Sequence, residues 1–158
     1  MYDRFGGEDK CVQFWNALHH SELDFKTKEM LWKAGNKGLV TRTELYQWKL
    51  SDSSKCHLCN NSDETLHHLF VDCNKTKDFV KFVFELIGAD LNIDNRFVVG
   101  SNFDVVSYSQ FYFLCMTKRV IWNARNLKAM KDVPVTVNGL KADFNRRVSV
   151  HLQSLLIR

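Results

Sequence analysis

Cys56-His57-Leu58-Cys59, then His68 and Cys73, write the pattern C-x2-C-x8-H-x4-C into a short stretch of the chain. These are four soft or borderline donors, the number a closed tetrahedral zinc site needs, and a metal gripped there fixes the path of the loop around it. Two cysteines separated by two residues can face one ion from a single tight turn. The following His and Cys stand at the offset expected on or just after a short helix, inside the usual spacing of a second ligand pair. His67 would stand one residue too far from Cys73, so the expected ligands are Cys56, Cys59, His68 and Cys73, holding one structural Zn2+. His57, between the knuckle cysteines, points away as a solvated loop residue. Cys11 and Cys115 lie in apolar runs and read as buried thiols.

Around this loop the chain reads as helices. With a single proline, 45% apolar residues and 13% aromatics, it has the composition of a packed, mostly α domain. The expected helices cover 9–20, 25–35 (Asp24 as N-cap, Gly35 at the C-terminal end), 42–50 (after Thr41), a short one from Ser62 or Asp63 to about 72, 75–87 (stopped by Gly88), 107–131 (capped at Ser107) and 140–157. Residues 51–62 form the metal loop. Residues 89–104 show no period and read as loop with a short extended Phe97-Val98-Val99; Pro134 and Asn138-Gly139 punctuate a turn over 132–139. The expected organisation is a flexible N-terminus (1–10), a helical zinc-binding part (11–104) and a basic helical pair (105–158) packed on it. Trp15, Trp32, Trp48 and Trp122 fall on apolar stripes and read as core; Tyr108 and Tyr112 are the more exposed aromatics.

Charge is concentrated. Residues 105–158 carry nine bases and two acids. Lys118, Arg119, Arg125, Lys128, Lys131, Lys141, Arg146 and Arg147, with Arg158, form a stripe able to neutralise phosphates, although most lysines and arginines simply face water. No apolar stretch is long enough to span a membrane and the N-terminus has no signal-peptide core. Five cysteines without such a signal fit a reducing, intracellular setting, in the nucleus, the cytoplasm or both.

Glu64-Thr65-Leu66-His67-His68-Leu69-Phe70-Val71-Asp72-Cys73 resembles the E-T-x-x-H-L-F-x-x-C signature of the reverse-transcriptase zinc-binding domain of non-LTR (LINE-like) retrotransposons. Met30-Leu31-Trp32-Lys33, the segment Gly38 to Leu45, and Val120-Ile121-Trp122-Asn123-Ala124-Arg125-Asn126 look like further elements of that family in the right order, so the likeness spans about residues 14–130. Val40 and Asn74 stand where the family usually has proline; neither removes a ligand. The resemblance implies a non-catalytic module in a retrotransposon ribonucleoprotein, holding template RNA or target DNA beside the rest of the polyprotein, with no membrane partner. A deaminase-like reading through His20 and Glu22 fails: Lys55 replaces the motif's proline, the intervening segment reads as helical, and His68 and Cys73 are left unexplained. No catalytic residue is therefore expected. The alternative is a zinc-stitched protein-interaction module without nucleic-acid contact, docking through an apolar helix face around Phe79–Ile87.

Overall fold

The computed structural model describes residues 7–89, 98 and 107–157. The described chain is mostly α, 69% helical with no strands. Its elements are α1 (Glu8–His20), α2 (Phe25–Gly35), α3 (Arg42–Gln47), a π-helical turn (His68–Asp72), α4 (Lys77–Ile87), α5 (Tyr108–Lys131) and α6 (Val137–Leu156). The long α5 is the organising element, packing against α2, α4, the π turn and α6, while α1 lies on α2. Phe14, Leu31, Leu69, Phe70, Phe79, Val83, Ile121 and Phe144 are essentially fully buried in one continuous core. Each such side chain contributes on the order of 2 kcal/mol by leaving water. Among the described residues no helix is long and apolar enough to cross a membrane.

Side chains satisfy the free N–H groups at several helix starts. Asp24 accepts from the Thr27 N–H, as expected, and so starts α2. Ser107 and Gln110 form a capping box at α5, and Thr41 and Glu44 do the same at α3. Gly88, at φ 63°, ends α4 in the left-handed conformation that glycine adopts without cost. Two ends differ from expectation. Gly35 remains inside α2, and the left-handed residue is Lys37 at φ 58°. Asn138-Gly139 is no turn: the Thr136 hydroxyl accepts the Gly139 N–H, which draws both residues into the first turn of α6.

Three expectations about faces are overturned. Trp32 and Trp48 are more than half exposed, at 54% and 56%, the Trp32 ring meeting the edge of α1 at Trp15; Trp122 is buried as expected and Trp15 is half-buried. Tyr112, expected at the surface, is buried and stacks on His151 with ring centroids 4.2 Å apart; Tyr108 is exposed. The apolar face of α4 is not open for docking either. Phe79, Val80, Val83 and Phe84 are buried where α4 meets α5, α6 and the π turn, which leaves only Leu86 prominent. The extended Phe97-Val98-Val99 lies outside the described residues except for Val98, which is buried. Residues 1–6 and Arg158 also lie outside them.

Candidate metal centre

The loop after α3 folds back on itself through one antiparallel bridge between Lys55 and Asp63. The Glu64 N–H donates to Ser54 O (2.9 Å) and the Cys56 N–H to Ser62 O (2.8 Å), which turns the C-x2-C segment outward as a tight knuckle. Asn60, left-handed at φ 56°, completes it, its N–H donating to Cys56 O. Within the knuckle the Leu58 N–H approaches Cys56 Sγ (3.4 Å) and the Asn61 N–H approaches Cys59 Sγ (3.5 Å). Backbone donors aimed at sulfur favour the thiolate, the form that binds metal.

His68 and Cys73 meet the knuckle through an unusual turn. Five residues along an α-helix place two side chains about 140° apart, on different faces. Here the Cys73 N–H donates instead to His68 O (2.7 Å), an i to i+5 bond that closes a π turn and swings the two residues back to one side. The Thr65 hydroxyl caps the turn by accepting the His68 N–H (3.0 Å), and the Thr76 hydroxyl secures its exit on Leu69 O (2.8 Å). The resulting four donor atoms of Cys56, Cys59, His68 and Cys73 lie within 4.8 Å of one another, with Cys59 Sγ 3.3 Å from His68 Nε2. Three of the residues are buried and Cys59 is partly exposed. This Cys3His cluster is able to hold one metal ion, and three thiols with one imidazole suit zinc.

The electrostatics agree with the donor geometry. The Cys56 thiol donates a hydrogen bond to Cys73; that bond, with burial, raises Cys56, and the same bond lowers Cys73 against the effect of burial, so one sulfur of the pair is already biased toward thiolate. Burial lowers His68, which keeps its imidazole neutral and able to coordinate. His67, the neighbour set aside on spacing, turns its Nδ1 to Asp72 Oδ2 (2.9 Å) at the surface.

One residue whose part is not apparent in sequence ties this centre to the rest of the fold. Glu64 is completely buried. Its carboxylate accepts from the His57 N–H in the knuckle (3.0 Å), the Arg42 N–H at the start of α3 (2.8 Å) and the Arg125 guanidinium on α5, at 3.0 Å from Nε and 2.6 Å from Nη2. Burial alone would raise the Glu64 carboxyl, but the Arg125 and backbone hydrogen bonds outweigh it and hold the group below its ordinary range. Arg125 also lies over the Trp122 ring, 5.0 Å from its centroid. The only available signal was that Glu64, Trp122 and Arg125 all sit in the motif segments.

The profile of a family described as zinc-binding in reverse transcriptase matches residues 1–79, half of the chain and all of the cluster. The chain belongs to this family. The matched reverse-transcriptase segment is a zinc-binding domain, not the catalytic one. Over 62 residues the chain is also 32% identical to an Arabidopsis thaliana protein provisionally named a ribonuclease H protein; the alignment covers 39% of this chain and 10% of that relative. The chain therefore spans only a small part of that protein's length. No solved structure matches it.

Beyond the residues matched to the reverse-transcriptase zinc-binding family, the eight basic residues singled out on α5 and α6 have different fates. Lys118 and Arg125 are corrections to the stripe. Lys118 is 1% exposed, its amine lowered by burial, and Arg125 is 7% exposed and committed to Glu64, so neither faces a phosphate. Arg119 is half-buried, close enough to Arg147 for the two charges to oppose each other and to Asp24 for partial relief. Arg146 and Arg147 share the Asp143 carboxylate, and Lys128 pairs with Asp132. Lys141 places its amine over the Phe82 ring, 4.4 Å from the centroid, and Lys131 is exposed.

Proposed function

We propose that this chain is a non-catalytic, zinc-stabilised nucleic-acid-binding module of a retrotransposon reverse-transcriptase polyprotein. Cys56, Cys59, His68 and Cys73 would be the ligands, and the observation that carries the reading is their convergence in a chain of this family. Four protein donors leave no open coordination position for water, so the metal cross-links the loop to the π turn rather than performing chemistry. Glu64, the buried carboxylate beside the knuckle, is engaged by structural hydrogen bonds from the Arg42 and His57 N–H groups and Arg125.

Nucleic acid, template RNA or target DNA, would be held mainly through phosphates by the basic segment of α5 and α6 packed on the metal-bearing part. With Lys118 and Arg125 withdrawn, the contacting set is Lys128, Lys131, Lys141, Arg146 and Arg147, with Arg119 at its margin. The Lys128–Asp132 and Arg146–Asp143 pairs are solvent-facing and worth little, so a phosphate can compete for those cations. The test is fluorescence anisotropy of zinc-loaded protein with labelled RNA and DNA over a salt series. The reading expects log affinity to fall linearly with log salt, with weak dependence on sequence. Binding that ignores salt, or no binding at low salt, overturns it.

A further inference from the structure

The nucleic-acid reading rests on phosphate contacts, and nothing in it uses the aromatic groove between α1 and α2. There α1 and α2 leave a cleft of about 570 Å3 whose walls carry Trp15, His19, Phe25 and Trp32, with Lys28, Glu29 and Asn36 also lining it. Phe25 is 78% exposed and Trp32 54%. Single exposed apolar residues need no explanation, but a contiguous group of aromatics does. Phe25 and Trp32 are seven residues apart, hence on one face of α2 and separated by about 10 Å along its axis. The Trp15 and Trp32 rings lie 6.5 Å apart at 51°, opening the cleft as a wedge with two flat walls. Trp15 is fixed from behind by its Nε1, which donates to Cys11 Sγ.

Lys28 and Glu29 are the charged residues that line the cleft. Beside it in sequence, residues 25–37 add Lys26, Lys33 and Lys37. Lys28 spans the cleft to His19 O (2.9 Å), and Lys33 is held only by a solvent-exposed pair with Glu29. At the start of α2 Asp24 remains an ionised carboxylate, its two oxygens accepting from the Thr27 N–H and hydroxyl. A groove for an apolar protein helix is served by aliphatic, adaptable walls; here the aliphatic member, Leu18, is buried at the floor and the accessible surface is flat ring. Rings that any base can stack on, bordered by lysines that follow a backbone, are the recurrent chemistry of single-strand recognition.

We propose that the α1–α2 groove is a stacking site for the bases of an unpaired nucleic-acid strand, with Phe25 and Trp32 as platforms and Lys26, Lys28 and Lys33 facing its phosphates. It rests on the chain being a nucleic-acid-binding module and adds to that reading a single-strand preference and a second surface. The experiment uses the full zinc-loaded chain, a labelled oligouridylate and a duplex RNA of equal length. Phe25→Ala and Trp32→Ala should each weaken single-strand binding about tenfold or more while changing duplex binding little. Trp32→Phe should retain it, and tryptophan fluorescence of the parent should be quenched on binding. Circular dichroism and zinc content establish that each variant is folded, and light scattering reports the oligomeric state. If oligouridylate binds with steep salt dependence but equally to parent and both alanine variants, the groove proposal falls and the phosphate reading stands. If neither probe binds, both fall. A dimer that dissociates in Trp32→Ala assigns the groove to a second copy and overturns the proposal.

Discussion

Arg125 and Glu64 are 61 residues apart in sequence, yet Nη2 of one lies 2.6 Å from Oε1 of the other in the interior. The pair joins the long helix α5 to the loop that bears the cysteines. Removing one partner leaves an uncompensated buried charge, which costs about 3–5 kcal/mol. Arg125→Ala and Glu64→Ala should both fall in that range by urea unfolding. Glu64→Ala should be the worse of the two, since it also strands the His57 and Arg42 N–H groups. A double variant no worse than Glu64→Ala identifies the pair as coupled; additive losses would mean that the two residues act independently.

The metal is expected to supply much of the local stability, because apparent folding energies for structural zinc are on the order of 10 kcal/mol. Mass spectrometry of protein purified without chelator should find one zinc per chain. Cys73→Ser and His68→Ala should lose or weaken it, whereas His67→Ala should retain it, its ring being turned to Asp72. Chelation should lower the melting temperature of the parent and have little effect on Cys73→Ser. Zinc retained by His68→Ala and lost by His67→Ala would reverse the histidine assignment.

The donors, the Asp24 and Ser107 caps and the Gly88 stop are legible in the sequence because each follows from side chains and backbone a few residues apart. The π turn is less so. The H-x4-C gap announces a ligand pair, but only the Cys73 N–H to His68 O bond makes that gap compatible with a helical path. Burial is least legible, since it depends on what lies across from a helix. Arg125 looked like a phosphate contact until Glu64 stood opposite it, and Trp32 looked like core until the described chain left it more than half exposed. Charge and hydrophobicity are local quantities; the partner that decides their meaning is not.

Acid should weaken the fold through Glu64. Its folded carboxyl lies below the ordinary 4.5, so its stabilising contribution is complete above that value and is lost as pH falls through the depressed folded one. Zinc release by protonated ligands acts in the same direction, so the contribution is isolated by comparison with Glu64→Gln, which keeps the size of the side chain and one of the two acceptor oxygens used by the Arg42 and His57 N–H groups. The gap in unfolding free energy between parent and Glu64→Gln should be constant near neutrality and narrow below pH about 4.5 to the pH-independent remainder left by the lost acceptor. A gap independent of pH would show that the charge on Glu64 contributes nothing.

The basic residues of α5 and α6 should separate by function along the line their burial draws. Lys118→Ala removes a long side chain from a position that is 1% exposed and should cost about 2 kcal/mol or more, through the cavity it leaves. Lys131→Glu alters an exposed residue and should leave the unfolding midpoint within about 0.5 kcal/mol of the parent. For nucleic-acid binding the order reverses. Lys131→Glu should weaken RNA and DNA alike and reduce the slope of log affinity against log salt by about 1, while folded Lys118→Ala should keep the parental slope. Measuring both quantities on both variants separates the residues that hold the helices together from those that meet phosphate. An unchanged slope in Lys131→Glu would remove that residue from the interface.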